Sequence, residues 1–334
     1  MIGTKKLLSF LKKNKNYKEV YEFINPILTD VSLRDGLQGY LPEQFPTTAK
    51  IDMYHDICSY KFVNNIEIGS LVSHKHMPIM KDVIPLYNYI SQEQEENTAI
   101  NELQLSAGIR RHKYKPNIFV LVPNYNKLKE AIYNNMTHLA FITSVSNRFQ
   151  LKNINKTLYK TNQELMKMNQ LLYFGNKTKH MVKKKSSHYV KLYISCIDHC
   201  PFDGKIENKV IAEHVANHAC IGYNEICLSD TCGKLTYKNY KEIVDICING
   251  YGVDPDVLSI HLHINENNMI ETENIIRYSL NKKIHRFDIS IMETGGCSMT
   301  LEEDSMSANL SYDIFSSILF KYIDESVQKL KRMK

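Results

Sequence analysis

The stretch Ile27–Gln38, ILTDVSLRDGLQ, decides how the rest of this chain is read. It opens with an apolar run, Ile27, Leu28 and Val31 around Asp30, of the length and character of a buried strand. It closes on Arg34-Asp35-Gly36, which sets two opposite charges and a flexible turn at the strand's carboxyl end. An isolated Arg-Asp-Gly is ordinarily a surface turn with a solvated ion pair. The later part of the chain argues otherwise, because polar, ligand-type residues recur after each further strand-like run.

Those runs are Ile66–Ile68, Ile118–Val122, His138–Ile142, Val190–Ile194, Glu225–Leu228, Val257–Ile260 and Phe287–Ile291. Helical spacing follows them, at Pro46–Tyr60, Met77–Ile90, Lys127–Asn135, Ile154–Phe174, Val210–Cys220, Tyr240–Asn249, Glu271–Leu280 and the tail from Ser311. Strands alternating with helices imply right-handed βαβ units and a parallel sheet. Eight such units predict an α/β fold, a closed (β/α)8 TIM barrel with an additional C-terminal helical segment. The expected division is an N-terminal helical extension over 1–24, the barrel over 25–310 and a C-terminal helical segment over 311–334. An open doubly wound sheet is the alternative, but no GxGxxG opens the first helix. In a barrel the active site lies at the carboxyl ends of the strands. Arg34, Asp35, Glu67, Asn124, Asp230, Thr231, His261, His263 and Cys297 fall there.

Composition bounds the function. The chain has 334 residues, 23% charged and 43% hydrophobic, enough for a large core. A net charge of +6 does not imply nucleic-acid binding and is compatible with an anionic substrate. The eight cysteines form no repeated CxxC framework, which points to a reducing, cytoplasmic setting. No apolar run approaches the roughly 20 residues that span a bilayer. The basic amphipathic start, Lys5–Lys13, resembles a weak organellar signal, so a mitochondrial location stays open. Glu19 and Glu22 follow it closely and favour a first helix packed on the domain. The lysine-rich stretch Gly175–His188 reads as a solvated connection.

His261 and His263 stand two apart at a strand end, where side chains at i and i+2 share a side. An isolated HxH is commonly incidental. With Asp35 from another strand, and Asn309 adding an amide oxygen, it becomes a mixed nitrogen and oxygen set. Without thiolates, that set favours Mg2+ or Mn2+ over structural zinc. Gly295-Gly296-Cys297 reads either as a loop glycine pair beside a buried thiol or as a mobile loop carrying an acid–base thiol. Cys196 and Cys200, a CxxxC pair, are assigned structural roles.

Several of these segments resemble hydroxymethylglutaryl-CoA lyases, within the DRE-TIM metallolyases. They are Val31–Gln38 (VSLRDGLQ), Ile66–Met80 (IEIGSLVSHKHMPIM), Pro123-Asn124, Lys152–Asn155 (KNIN, like the helix start after the fourth strand), Ser195–Lys205 (SCIDHCPFDGK), Leu228–Gly233 (LSDTCG), His261–His263 and Gly295–Cys297. The resemblance runs from about Ile27 to about Ile314. It implies metal ligands at Asp35, His261, His263 and Asn309, and an enolate-stabilising cation at Arg34. It also implies a supporting carboxylate at Glu67 and a proton-carrying thiol at Cys297. The family reaction splits 3-hydroxy-3-methylglutaryl-CoA into acetyl-CoA and acetoacetate with a divalent metal and no organic cofactor. The implied partner is an acyl-CoA, and a homodimer is common in the family.

The chain departs from the family pattern at three places. Ile264 replaces the Asp that usually follows the second His. Thr294 and Ser298 alter the glycine loop, and Gly39-Tyr40-Leu41 replaces more polar residues. The alternatives are a related aldolase or Claisen-type enzyme with another acyl substrate, and a divergent non-catalytic homologue.

Overall fold

The computed structural model describes residues 2–106, 114–174, 188–292, 294–295 and 308–332. Two helices, α1 (Ile2–Lys13) and α2 (Lys15–Ile24), precede the first strand, β1 (Ile27–Asp30). The chain continues through α3 (Thr47–Tyr60), β2 (Asn65–Ser70), α4 (Val83–Ser106), β3 (Asn117–Leu121), α5 (Tyr125–Tyr133) and β4 (His138–Ser144). It then forms α6 (Asn147–Ile154), α7 (Leu158–Phe174), β5 (Tyr189–Ser195) and a small hairpin of β6 (His199–Cys200) and β7 (Gly204–Lys205). The remaining elements are α8 (Asn208–Ala219), β8 (Glu225–Ser229), α9 (Tyr237–Asp245), β9 (Leu258–His261), β10 (His263–Ile264), α10 (Met269–Asn281), β11 (Arg286–Ile289), β12 (Ala308–Asn309) and α11 (Tyr312–Arg332).

Eight strands close in the order β1-β11-β9-β8-β5-β4-β3-β2, every pair parallel. This is the predicted TIM barrel, with α11 as the additional C-terminal helix. Strand alternation splits the core in two. On β5, Val190, Leu192 and Ile194 face out into the main core between strands and helices. Tyr193 faces in and packs with Leu121, Ala140 and Cys227 in a separate, much smaller cluster. The rest of the lumen is polar, and that property makes room for chemistry.

One expected helix is two. Ile154–Phe174 is broken because Asn155 takes a left-handed conformation (φ 53°) and caps α6, so the long helix begins at Leu158. Ser146 starts α6 by accepting the Phe149 N–H at 3.0 Å. Lys152–Asn155 therefore closes a helix and does not open one. Asn124 is also reassigned: its side chain accepts the Lys127 N–H at 3.0 Å and caps α5.

The terminal helices pack on each other. Thr4, fully buried, pairs its hydroxyl with Ser316 at 2.9 Å. Phe10 meets Phe320 and Tyr17 edge-on. Among the described residues no helix is long and apolar enough to cross a membrane. The described cysteines are free thiols.

On α8, His214 and His218 lie one turn apart with ring centroids 4.7 Å from each other. Burial lowers both, His214 to about 4 and His218 to about 3. Each is favoured neutral when folded, so the stability they contribute is complete above the unfolded value of about 6.5 and is lost as pH falls below it. Between pH 7.5 and pH 5 the pair is expected to cost the fold on the order of 3 kcal/mol. Urea titrations of wild type and a His214→Gln/His218→Gln variant check this; the variant should lose clearly less over the same interval.

Candidate metal centre

The site forms where the chain leaves β1. Instead of continuing, the backbone makes one π-helical turn over Ser32–Gly36. The N–H groups of Arg34, Asp35 and Gly36 all converge on the Val31 carbonyl, at 3.2, 2.8 and 3.2 Å. Such turns are uncommon and concentrate at functional positions. Here the turn directs Arg34 and Asp35 together over the barrel mouth, and both side chains are buried. Below it, Asp30 accepts from Ser32 and from the Tyr312 hydroxyl (2.8 Å), anchoring the turn to α11. Burial raises Asp30 to about 6.

Two strands round the barrel from β1, beyond β11, β9 delivers His261. Leu262 breaks the strand, and His263 begins β10, which pairs antiparallel with β12 so that His263 lies opposite Asn309. The His261 Nε2 and His263 Nε2 atoms are 3.2 Å apart. Asp35 Oδ2 lies 3.8 Å from the first and 3.5 Å from the second. One ligand atom from each of the three residues falls within 4.8 Å of the others. Asn309 Nδ2 donates to Asp35 Oδ2 at 3.0 Å, while its Oδ1 is buried without a hydrogen-bond partner. Two facing imidazole nitrogens and a carboxylate oxygen form a donor set that a divalent cation satisfies, so the residues fit the metal implied by the sequence, with the Asn309 amide adjoining them through Asp35.

Charge in the site is arranged in opposition. Burial works against ionising Asp35, but Arg34 and the two imidazoles override it and hold the carboxyl well below the usual range. Burial lowers His261, only partly countered by Asp288 and Asp35. His263 is raised: Asp35 outweighs the effect of burial there. Arg34 also pairs with Glu67, Nε to Oε1 at 3.0 Å and Nη2 to Oε2 at 3.2 Å, and lies 5.0 Å over the Tyr193 ring. Asp35, Glu67 and the Tyr193 ring thus fix one guanidinium.

A layer deeper, the Tyr193 hydroxyl sits 2.7 Å from Glu67 Oε2 and 2.8 Å from Asp288 Oδ2, with one proton for two carboxylates. Asp288 pairs with Lys191, which reaches Glu225 at 3.0 Å on its other side. Asp288 Oδ2 also lies 3.2 Å from His261 Nδ1.

Gly295 closes the roof. Its φ is +137°, and a Cβ there would lie 1.9 Å from Asn309 Nδ2 and 3.2 Å from Asp35 Oδ2. Only glycine fits. Gly295→Ala is expected to displace Asn309 and weaken Mn2+ binding about tenfold or more, by analogy with loss of a supporting contact; EPR titration measures it. A cavity of about 510 Å³ opens beside the centre, walled by Arg34, His261, Tyr193, Met77 and the buried Phe149, with the exposed Lys152 at its edge.

Comparisons with known proteins agree with this geometry. The chain is 26% identical over 270 residues to the cytoplasmic 3-hydroxy-3-methylglutaryl-CoA lyase of Rattus norvegicus, covering 81% of this chain and 68% of that one. It is 25% identical over 270 residues to the mitochondrial hydroxymethylglutaryl-CoA lyase of Bos taurus, covering 81% and 71%. The chain is hydroxymethylglutaryl-CoA lyase-like. No family model matches it. The fold superposes on the hydroxymethylglutaryl-CoA lyase structure from Pseudomonas aeruginosa with a TM-score of 0.69, at 23% identity over 89% of this chain and 86% of the other. For the lyase from Acinetobacter baumannii, solved with coenzyme A and 3-methylmalate, the TM-score is 0.68 at 24% identity, covering 90% and 83%.

Within this lyase-like chain the structure brings together Arg34, Asp35, Glu67, His261, His263 and Asn309. Cys297 and the lysine-rich segment over 175–187 lie outside the described residues. Ile264 is 6% exposed and belongs to the main core, paired with Ala308 in register. The position that is polar in the resembled family is therefore spent on packing. Sequence reading missed Lys191, Tyr193, Glu225 and Asp288. The available signal was alternation: Lys191 and Tyr193 interrupt an apolar strand at i and i+2, which aims both at the lumen.

Proposed function

We propose that this protein is a metal-dependent carbon–carbon lyase that cleaves 3-hydroxy-3-methylglutaryl-CoA to acetyl-CoA and acetoacetate. The observation that carries the reading is the convergence of Asp35, His261 and His263 within 4.8 Å beside the fixed Arg34. The relatives' named activity and the coenzyme A bound in one similar structure support it.

Asp35, His261, His263 and Asn309 would hold a Mg2+ or Mn2+ ion. When bound, that ion supplies Lewis-acid polarisation of the substrate's oxygens and eases loss of a proton from its hydroxyl. In the cleavage the tertiary hydroxyl gives up its proton and its carbon becomes the ketone of acetoacetate. The C2–C3 pair moves onto the thioester side as an enolate. Arg34 faces that growing negative charge. Because Glu67, Asp35 and Tyr193 already hold the guanidinium, it need not reorganise during the reaction, the condition under which electrostatic stabilisation is largest. Glu67 is the supporting carboxylate in this scheme. Cys297 Sγ is the proton donor to the enolate carbon, a role taken from the family resemblance. The cavity takes the acyl end, with Lys152 at the solvent side for the carrier.

The buried Ile264 favours a second reading, in which the same enolate chemistry acts on another acyl-CoA. Incubation of the Mn2+-loaded protein with 3-hydroxy-3-methylglutaryl-CoA should release acetoacetate and acetyl-CoA in equal amounts. No product with metal bound would move the assignment to the second reading.

A further inference from the structure

We infer that Asp288 is a positioning residue: it fixes His261 in the tautomer that turns a bare Nε2 toward the metal centre. The inference rests on the metal reading above and deepens it.

A carboxylate only accepts hydrogen bonds. Asp288 is buried on β11 in the barrel lumen and is surrounded by donors. Lys191 Nζ donates to its Oδ1, and the Tyr193 hydroxyl (2.8 Å) and the Cys227 thiol (3.9 Å) approach its Oδ2. The Tyr193 proton is contested by Glu67 at 2.7 Å. The remaining neighbour of Oδ2 is His261 Nδ1, at 3.2 Å. That contact is favourable only if Nδ1 carries the proton. A neutral imidazole then has its lone pair on Nε2, the atom facing His263 Nε2 and Asp35 Oδ2. Asp288 is the one described contact at His261 Nδ1; the contact at Nε2 is with His263 Nε2, whose own donor or acceptor role is open, and the Nε2–H form of His261 would point a proton where a ligand lone pair is needed. Carboxylates behind ligating histidines act in this way generally, and their loss costs 10- to 100-fold in metal affinity, roughly.

Two measurements on the full chain test this. The first is 15N imidazole spectra of the metal-free wild type, which should show His261 protonated at Nδ1 and bare at Nε2, and a mixture of tautomers in Asp288→Asn. The second is Mn2+ titration by EPR, in which Asp288→Asn should bind about 10- to 100-fold more weakly than wild type. A merely structural role would not move the tautomer. Wild-type His261 protonated at Nε2, or unchanged Mn2+ affinity in the folded variant, would overturn the inference. Should Asp288→Asn fail to fold, the wild-type spectrum decides alone. A wild type that binds no Mn2+ would remove the metal reading, while the spectrum would still decide the role of Asp288.

Discussion

Asp35→Ala should abolish the metal centre: Mn2+ affinity is expected to fall at least about 100-fold and lyase turnover by about a thousandfold or more, the scale of losing a ligand and not only its support. Asp35 is the one carboxylate among the three converging ligands, and its Oδ2 lies within 3.8 Å of both imidazoles. It also takes hydrogen bonds from Arg34, from Asn309 at 3.0 Å and from Gln38 at 3.0 Å. Removing it takes away the carboxylate that lies between the Arg34 guanidinium and the two imidazoles, so the site turns cation-repelling. Asp35→Asn separates charge from shape. It keeps the size and an acceptor oxygen, so the fold should survive with most of its stability, while Mn2+ affinity should fall nearly as far as in the alanine variant. EPR titration, with thermal unfolding as the control, reads both quantities. An Asp35→Asn protein that binds Mn2+ like wild type would take Asp35 out of the ligand set.

Lys191→Met carries the largest expected effect on stability. The ammonium is fully buried in the barrel between Asp288 and Glu225 and 4.6 Å from the Tyr193 ring. Burial opposes its charge, but the two carboxylates raise its pKa well above the ordinary value. Breaking a buried pair by removing one partner costs about 3–5 kcal/mol, because the uncompensated charge stays inside. The linkage has a definite sign. Despite burial, Lys191 and His261 hold Asp288 down to about 2, so its contribution is present above the unfolded carboxylate value near 3.8 and lost below it. The gap between wild type and variant should therefore be full from neutral pH down to about 4 and shrink as pH falls from there toward 2. Guanidinium titrations across that range measure the gap, and a constant gap would mean that packing rather than charge carries the loss.

The barrel was legible because each strand buries both faces, which writes it as a short apolar run that a helical period then follows. Asp35, His261 and His263 were legible because ligand residue types stand at strand ends. The polar lumen was not. Lys191, Tyr193 and Asp288 lie inside strands, and one sequence does not state which strands face each other across a barrel. Asp288 and His261 become partners only through the pairing of β11 with β9. Local chemistry misled twice. Asn124 looked like a rim residue because it follows a strand, but an asparagine before a helix is also a cap. Asn155 sat within a helical period, yet its tolerance of the left-handed region ends α6 there.

The central claim is that residues from the turn after β1, from β9 and from β10 share one divalent ion at the mouth of the barrel. Anomalous diffraction from crystals of the full chain soaked in Mn2+ tests it most directly. The account predicts one strong peak bounded by Asp35 Oδ2, His261 Nε2, His263 Nε2 and the amide of Asn309. Saturating Mn2+ with no peak among those four atoms, or with the ion held elsewhere on the chain, would contradict it.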